Sequence, residues 1–483
     1  MKILNKLRTV ACLLGVCLAF YGCSDSLEEH TEVTDSRLQK SLAQRIAEEP
    51  ELSEFNAALE ESGYNEVLSA SKSFTVWAPD NEAMAQVPSE ILNDSEQLER
   101  FVANHIALSS FSTDMIKDTL SVQMLTDKYA DFLPAPSIAG VNLSLADQFA
   151  SNGVYHIIGR DLAPQYNVWE YIEANPEGYS QNTFIASLDY FDLFHVEQAG
   201  EEAGEGIDTL ARNEMLRKYD LEDEQKNFTY FVMTDEGYKQ EKDKLVPYSK
   251  RGSQDSTQML AQYNVVKDLV FKGIYTQDNL PDTLTSIDGV KVPVDQESFI
   301  GEPLELSNGI VYIVDRVDVK LEDKLVPVKI EGENPWGFSH DRNDNLFYRE
   351  KTDPSGEYFE DLVARNHGVA QFAIHYDASK LYSTTYRVYW RAVNDFEGSF
   401  WQGLRIGGRY EVQEDESLEL VDVIATYPPM EVPPNNYDEV FVGEFNLERA
   451  GDIDMVSLVA ENNSSDRWNP LSLDYLMFVP IIE

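Results

Sequence analysis

The chain has 483 residues, with 85 acidic against 38 basic side chains and a formal net charge of −47. That imbalance argues against nucleic acid, whose binding requires cations to neutralise phosphates, and against polyanionic glycans, while favouring solubility. At about 150 residues per domain, the length suggests about three domains.

Residues 1–22 read as an export signal. Lys2, Lys6 and Arg8 form a cationic start, and Val10 to Gly22 is an uncharged apolar run. It is shorter than the ~20 residues needed to span a bilayer but suits a signal h-region. Cys12 and Cys17 would leave with it, which takes the net charge to −50 and leaves Cys23 as the one mature cysteine. No later stretch reaches 18 apolar residues. Cys23 behind the small Gly22 resembles a bacterial lipobox, although Phe20 and Tyr21 are bulkier than the common pattern. The acidic residues that follow make 23–35 similar to the surface-export tether of Bacteroides-type lipoproteins. The resemblance implies lipidation of Cys23 and an outer-membrane, surface-exposed protein held only by its acyl chains.

Two motifs recur in order. "FTVWAPDNEAM" (Phe74 to Met84) aligns with "FTYFVMTDEGY" (Phe228 to Tyr238) at an offset of 154, and "SNGVYHIIGR" (Ser151 to Arg160) aligns with "SNGIVYIVDR" (Ser307 to Arg316) at 156. A repeat this long indicates a duplicated domain and not a solenoid. "FTVWAP" is a short buried strand. "DNEAM" opens a helix capped by Asp80 or Asn81, and "SNG" is a turn leading into a closing strand. In "DSEQLERFVANHI", Leu98, Phe101, Val102 and His105 share one helical face, and "ELSEFNAAL" repeats the pattern with Leu52, Phe55 and Leu59.

These residues resemble the fasciclin (FAS1) domain, an α+β fold. The first copy covers residues 36–165. The second, 166–320, diverges: Val232-Met233 replaces Ala-Pro, Leu269 stands near the place of His105, and an acidic stretch from Glu197 to Thr209 is inserted.

From 325 to 483 the texture is all β. "YRVYWRAV" alternates through Tyr386, Val388, Trp390 and Ala392. "LSLDYLMFVP" is expected to alternate through Leu471, Leu473, Tyr475, Met477 and Val479. With its Gly and Pro punctuation, this region is similar to galactose-binding-like jelly rolls, including carbohydrate-binding modules. The expected fold is therefore multidomain, with two α+β fasciclin-like domains followed by a jelly-roll sandwich.

The search for catalytic motifs returns no H-E-x-x-H, G-x-S-x-G, phosphate loop or G-x-G-x-x-G, so no catalytic residue and no cofactor is assigned. His105 and His156 read as hydrogen-bonded core histidines. "DRNDN" sets oxygen ligands at Asp341, Asn343 and Asn345, a pattern of calcium loops, but Leu346 and Thr352 do not fit an EF-hand. The alternative there is a polar turn. Trp336, Phe338, Tyr348, Phe396, Trp401 and Trp468 lie in or next to loop-like stretches. Such rings stack on sugar faces, and Trp336, Trp401 and Trp468, with Arg405 and Arg409 as donors, are the candidate ligand site. The alternative for each ring is core packing. In fasciclin domains the segment after the closing strand is linked to integrin contacts, and Arg160-Asp161-Leu162 occupies that place.

The expected function is non-catalytic binding or adhesion at the cell surface, directed at a neutral glycan as an accessory of an outer-membrane polysaccharide-uptake system. A protein adhesin acting through its fasciclin domains is the alternative. A glycan-active enzyme with unrecognised carboxylates is a third.

Overall fold

The computed structural model describes residues 36–175, 178–189, 213–396, 398–413, 417–461 and 469–482. The signal, Cys23 with its tether, the acidic insertion and Trp468 lie outside the described residues. The chain divides into two compact units, one ending at Tyr166 and one beginning at Asn167. The boundary expected at 320–325 falls inside the second.

In the first unit, strand β1 (Phe74–Pro79) is buried along its whole length. Phe74, Val76 and Ala78 pack into one apolar cluster and Trp77 into another, so both faces of the strand are covered. This is why it reads as a continuous apolar run. Asp80 caps the next helix by accepting the Ala83 N–H at 2.8 Å. Asp94 caps helix α1 (Ser95–Ala103) through the Gln97 N–H at 2.9 Å. Those bonds satisfy amides that a helix start otherwise leaves orphaned. One strand in from the edge of a seven-stranded sheet, β1 pairs antiparallel with the edge strand β2 (Ile106–Leu108) and parallel with β3 (Gly153–Ile158). Gly153 lies opposite Phe74. A Cβ there would come within 1.9 Å of the Phe74 carbonyl oxygen, so the position requires glycine.

The second unit opens with the same construction. Strand β4 (Phe228–Met233) pairs antiparallel with β5 (Val270–Lys272) and parallel with β6 (Gly309–Val314), with Gly309 opposite Phe228. The equivalence extends to single hydrogen bonds. Asn152 accepts the Leu42 N–H and donates to the Leu68 carbonyl. Asn308 accepts the Val168 N–H and donates to the Leu221 carbonyl. The Thr75 hydroxyl bridges the Ser109 carbonyl and Phe111 N–H, and the Thr229 hydroxyl bridges the Gly273 carbonyl and Tyr275 N–H. The N–H of Trp77 donates to His105 O and that of Phe231 to Leu269 O, so Leu269 holds the backbone position of His105.

The rest of the second unit is β-rich. A five-stranded sheet runs in the order β7 (Gly337–Phe338), β8 (Ala373–Leu381), β11 (Gly451–Ala460), β9 (Phe400–Val412), β10 (Leu418–Val432). Ile374, Tyr376, Leu404, Ile406, Val456 and Leu458 are buried in one core with residues of a four-stranded and a three-stranded sheet. Tyr386, Val388, Trp390 and Ala392 are all buried in it, as the alternation predicts. The closing segment behaves differently. Leu471–Leu473 and Tyr475–Pro480 are strands of two different sheets, and the inward positions after the break are Leu476 and Phe478, not Tyr475, Met477 and Val479. The phase changes at Asp474. It is buried, pairs with Arg391 at 2.5 Å, and exchanges backbone bonds with Arg391 and Gly332.

These strands are tied to the domain before them. The Ser383 N–H donates to Tyr248 O, the Ser383 hydroxyl accepts the Lys250 N–H, and the Ala450 N–H donates to Lys250 O. The connecting turn Leu321–Lys324 is anchored by the buried Lys324, which bonds Asp268 at 2.6 Å and Asn264 O at 2.8 Å. Among the described residues no helix is long and apolar enough to cross a membrane.

Candidate functional site

The face of the five-stranded sheet turned away from the core carries a polar row. Gly337 on β7 lies opposite His375 on β8, His375 opposite Ser457 on β11, and Ser457 opposite Arg405 on β9. Neighbouring residues of each strand point inward, so this set points outward by the two-residue period of a strand. The N–H of Trp336 donates to His375 O at 2.9 Å. Its indole stacks on the His375 imidazole, with centroids 5.3 Å apart and planes at 24°. His375 Nδ1 bonds Ser457 Oγ at 2.9 Å.

Trp336 remains 56% exposed although its ring covers His375. Burial, and then the charge of Arg405, hold the His375 imidazole below its ordinary pKa, so it is neutral at pH 7. The Arg405 side chain is half-buried and meets no carboxylate among the described residues. Trp401 shares its face two positions before Gly403 and four before Arg405, and is 41% exposed. Gly403 leaves a gap between them. The bulge at Pro428-Pro429 of β10 bends in beside it, and a Cβ at 403 would approach Tyr427 O to 3.0 Å.

The arrangement offers two exposed indoles, a neutral polar pair between strands and an uncompensated guanidinium. An apolar ring face stacks on the C–H face of a ligand while the guanidinium donates to its oxygens. The Ser457–His375 pair does not make a nucleophile and base of the triad kind. Ser457 is fully buried, and the charged neighbour acting on His375 is a cation where a triad sets a carboxylate.

The expected site residues are only partly brought together. Trp336, Trp401 and Arg405 share the outer face. Trp401, expected in a loop, lies within β9 opposite Glu431. Arg409 lies further along β9, past Ile406, the last residue of that strand to pair with β11. There it is engaged by Asp422 at 2.6 Å and by Glu411. Asp341 and Asn343 are exposed in a short turn where Asn343 Nδ2 donates to Asp341 Oδ1 at 3.0 Å, and Asn345 O accepts the Arg365 N–H. Among the described residues no group of three or more His, Cys, Asp or Glu side chains is disposed to hold a metal. Phe338 stacks on Phe372, Phe396 packs beside Phe400 and Arg349, and Tyr348 is exposed on a separate strand. His375 and Ser457 were not singled out from sequence. Their signal is a polar residue at an alternate position inside the apolar strands "FAIHYDA" and "MVSLVA".

In the first unit, His105 and His156 are buried and bonded to backbone: His105 to Phe101 O and the Leu162 N–H, His156 to Phe111 O and the Asp147 N–H. Comparison with known proteins bears on this unit. A fasciclin domain model matches residues 50–164. Residues 50–164 are a fasciclin domain. The transforming growth factor-beta-induced protein ig-h3 of rabbit (Oryctolagus cuniculus) and that of pig (Sus scrofa) are each 31% identical over 137 residues, covering 27% of this chain. The match spans only 20% of the length of those relatives. Among solved structures, a FAS1 domain pair from the insect cell adhesion molecule fasciclin I is 17% identical over 56% of this chain and 98% of its own, with a TM-score of 0.24. The CBM36-1 domain of a multidomain xylanase from the hindgut metagenome of Trinervitermes trinervoides is 13% identical over 33% of this chain and 100% of its own, at 0.21. Within the fasciclin domain the exit segment is pinned: Leu162 is buried, with its carbonyl accepting Asn104 Nδ2 at 2.7 Å, while Arg160 is exposed.

Proposed function

We propose that this is a non-catalytic binding protein of the cell surface, carried on a lipid anchor at Cys23. In this reading a second, divergent fasciclin domain spans about 166–320, and a jelly-roll-like sandwich presents a glycan-binding face. The repeated roles of Asn152 and Asn308, and of Thr75 and Thr229, support the duplication. The observation that carries the function is the outward row Trp336–His375–Ser457–Arg405, flanked by Trp401. It joins exposed ring faces to a cation that makes no ion pair among the described residues, in a chain otherwise rich in carboxylate, which suits a neutral saccharide. Presentation to an outer-membrane uptake system is the role that fits such a face.

Affinity electrophoresis and calorimetry of residues 23–483 against a panel of neutral polysaccharides test this. Wild type should bind at least one. Trp336→Ala and Arg405→Gln should each weaken binding about tenfold or more, while the melting temperature falls by no more than about 4 °C. Retention of full affinity in both variants would sink the site assignment, and a folded protein that binds no glycan would favour the adhesin alternative. The anchor has its own test: Cys23→Ala should leave the membrane fraction and carry no fatty-acid label.

A further inference from the structure

A second concave site lies within the Asn167–Glu483 unit, remote in sequence from the tryptophan row. It forms where residues 246–258, from the end of one helix to the first turn of α2 (Gln254–Val266), meet Glu448 and Arg449 of the β-rich region. It is shallow and largely open to solvent, with a volume of about 470 Å³, within the range of small-ligand sites. Three cations line it: Lys250, Arg251 and Arg449. None is in an ion pair among the described residues. Arg251 is half-buried, and its Nε is shielded from solvent without a hydrogen-bond partner. Burial lowers the Arg251 pKa, and Asp452 opposes that through its charge. Glu448 is the one acidic side chain in the lining, so the lining carries two more positive charges than negative. Asp255, on the first turn of α2, lines a different cavity.

In a chain of net charge −47, carboxylates are plentiful, and buried or half-buried cations such as Lys324 and Arg391 are paired with them. Among the described residues, three in one concavity make no ion pair, and Glu448 in the lining offsets only one of their charges. The framework around them is set. Lys250 is held through its backbone by Ser383 and Ala450, and the Arg251 N–H donates to the Thr257 hydroxyl at 2.9 Å. Gln254 and Gln258 supply side-chain amides, and no aromatic residue lines the cavity.

We propose that this pocket binds a sugar acid, with its carboxylate held by Arg251 and Arg449 and its hydroxyls by the glutamine amides. Arginine presents a fork that matches a carboxylate. The repulsive field of the whole chain is screened over about 8 Å at physiological salt, so within the pocket the three cations dominate. The site is independent of the tryptophan row and differs from it in ligand charge.

The test is calorimetry on residues 23–483 at fixed ionic strength, with sodium glucuronate, glucose and sodium sulfate as probes. Glucuronate should bind saturably, glucose at least about tenfold more weakly, and raising sodium chloride should weaken the glucuronate signal. Arg449→Gln, at an exposed position, and Arg251→Gln should each reduce glucuronate affinity about tenfold, a charge-assisted hydrogen bond each. The unliganded melting temperature of Arg449→Gln should be unchanged. Trp336→Ala should bind glucuronate normally, which separates this site from the glycan face. Absence of saturable glucuronate binding overturns the proposal. So does glucuronate binding that survives Arg449→Gln intact, and so does binding of sulfate without glucuronate.

Discussion

The backbone N–H of Leu162 donates to Nε2 of His105 at 2.8 Å, across 57 residues of chain. The other ring nitrogen bonds Phe101 O, so the proton sits on Nδ1 and the imidazole must be neutral to serve both partners. One side chain thus joins the end of α1 to the segment that leaves β3. Replacing it with phenylalanine keeps the ring but orphans a buried amide. His105→Phe should cost the first unit about 1–3 kcal/mol in chemical denaturation. A cost indistinguishable from zero would mean that Leu162 finds another acceptor.

The same bond makes the first unit acid-sensitive. Burial drives the His105 pKa down from 6.5 to about 4. The unfolded chain therefore binds more protons than the folded one between those values. Stability is full above pH 6.5 and falls as pH drops toward 4, by on the order of 3 kcal/mol for this residue. His156, also held low by burial, adds in the same direction. A pH series of denaturation midpoints should show this slope in wild type and a shallower one in His105→Phe.

The exposed and buried indoles of the β-rich region should respond to different degrees. Trp336 touches His375 on one side and solvent on the other, so Trp336→Ala should cost about 1 kcal/mol, the scale of one ring pair. Trp390 is in the core, at 1% exposure, and Trp390→Ala should cost about 3–5 kcal/mol. Comparable losses from the two would place Trp336 in the core instead of on a binding face.

The paired asparagines predict separable transitions. Asn152→Ala and Asn308→Ala each orphan a backbone N–H and leave carbonyls without their donor, at about 1–3 kcal/mol apiece. Asn152→Ala should lower only the melting step of the first unit, and Asn308→Ala only that of the second. A single step that both variants shift equally would contradict two units that unfold separately.

The buried pair at the connecting turn should be asymmetric. Burial holds the Lys324 pKa below the usual lysine range, opposed by the charge of Asp268. Lys324→Met removes the partner of a buried carboxylate and should cost about 3–5 kcal/mol, while Lys324→Met with Asp268→Leu should recover most of it. Thermal melting of the second unit reads both. A double variant as damaged as the single would point to Asn264 and Ser286, the other partners of this pair, as the source of the cost.

Local elements were legible because their determinants are local. The buried run of β1, the caps at Asp80 and Asp94, the apolar face of α1 and the SNG turns each lie within a few consecutive residues. The recurrence of Phe74–Met84 and Ser151–Arg160 in the second unit was legible for the same reason. The candidate site was not, because its members come together only through sheet register. Trp336, His375, Arg405 and Ser457 lie on four segments, and the pairing of β8, β11 and β9 aligns them. In the sequence, Asn394 and Gly398 give the stretch before Trp401 the texture of a loop. Yet Asn394 is fully buried, its amide donating to the carbonyls of Gly398 and Val432. There the polar residue marks a braced corner and not an open loop. The phase change at Asp474 was hidden too, since a two-residue alternation cannot reveal a strand that leaves one sheet for another.

Strand β9 outruns its neighbour β11, which pairs with it only as far as Ile406. From Gly407 to Val412 its ladder partner is β10, from Leu418 to Val423. A two-stranded ribbon has no third strand to hold it, so deuterium should enter its amides long before it enters Val456 or Leu458 in the middle of the sheet. Tyr410, Val412 and Leu418 are exposed along this ribbon, a combination that invites another strand to add on. Glu411, Glu419 and Asp422 stand among them. Arg409 is tied to Glu411 and Asp422, so with Glu419 these four side chains carry a net charge of −2, and a second copy bringing the same charge to this edge is disfavoured.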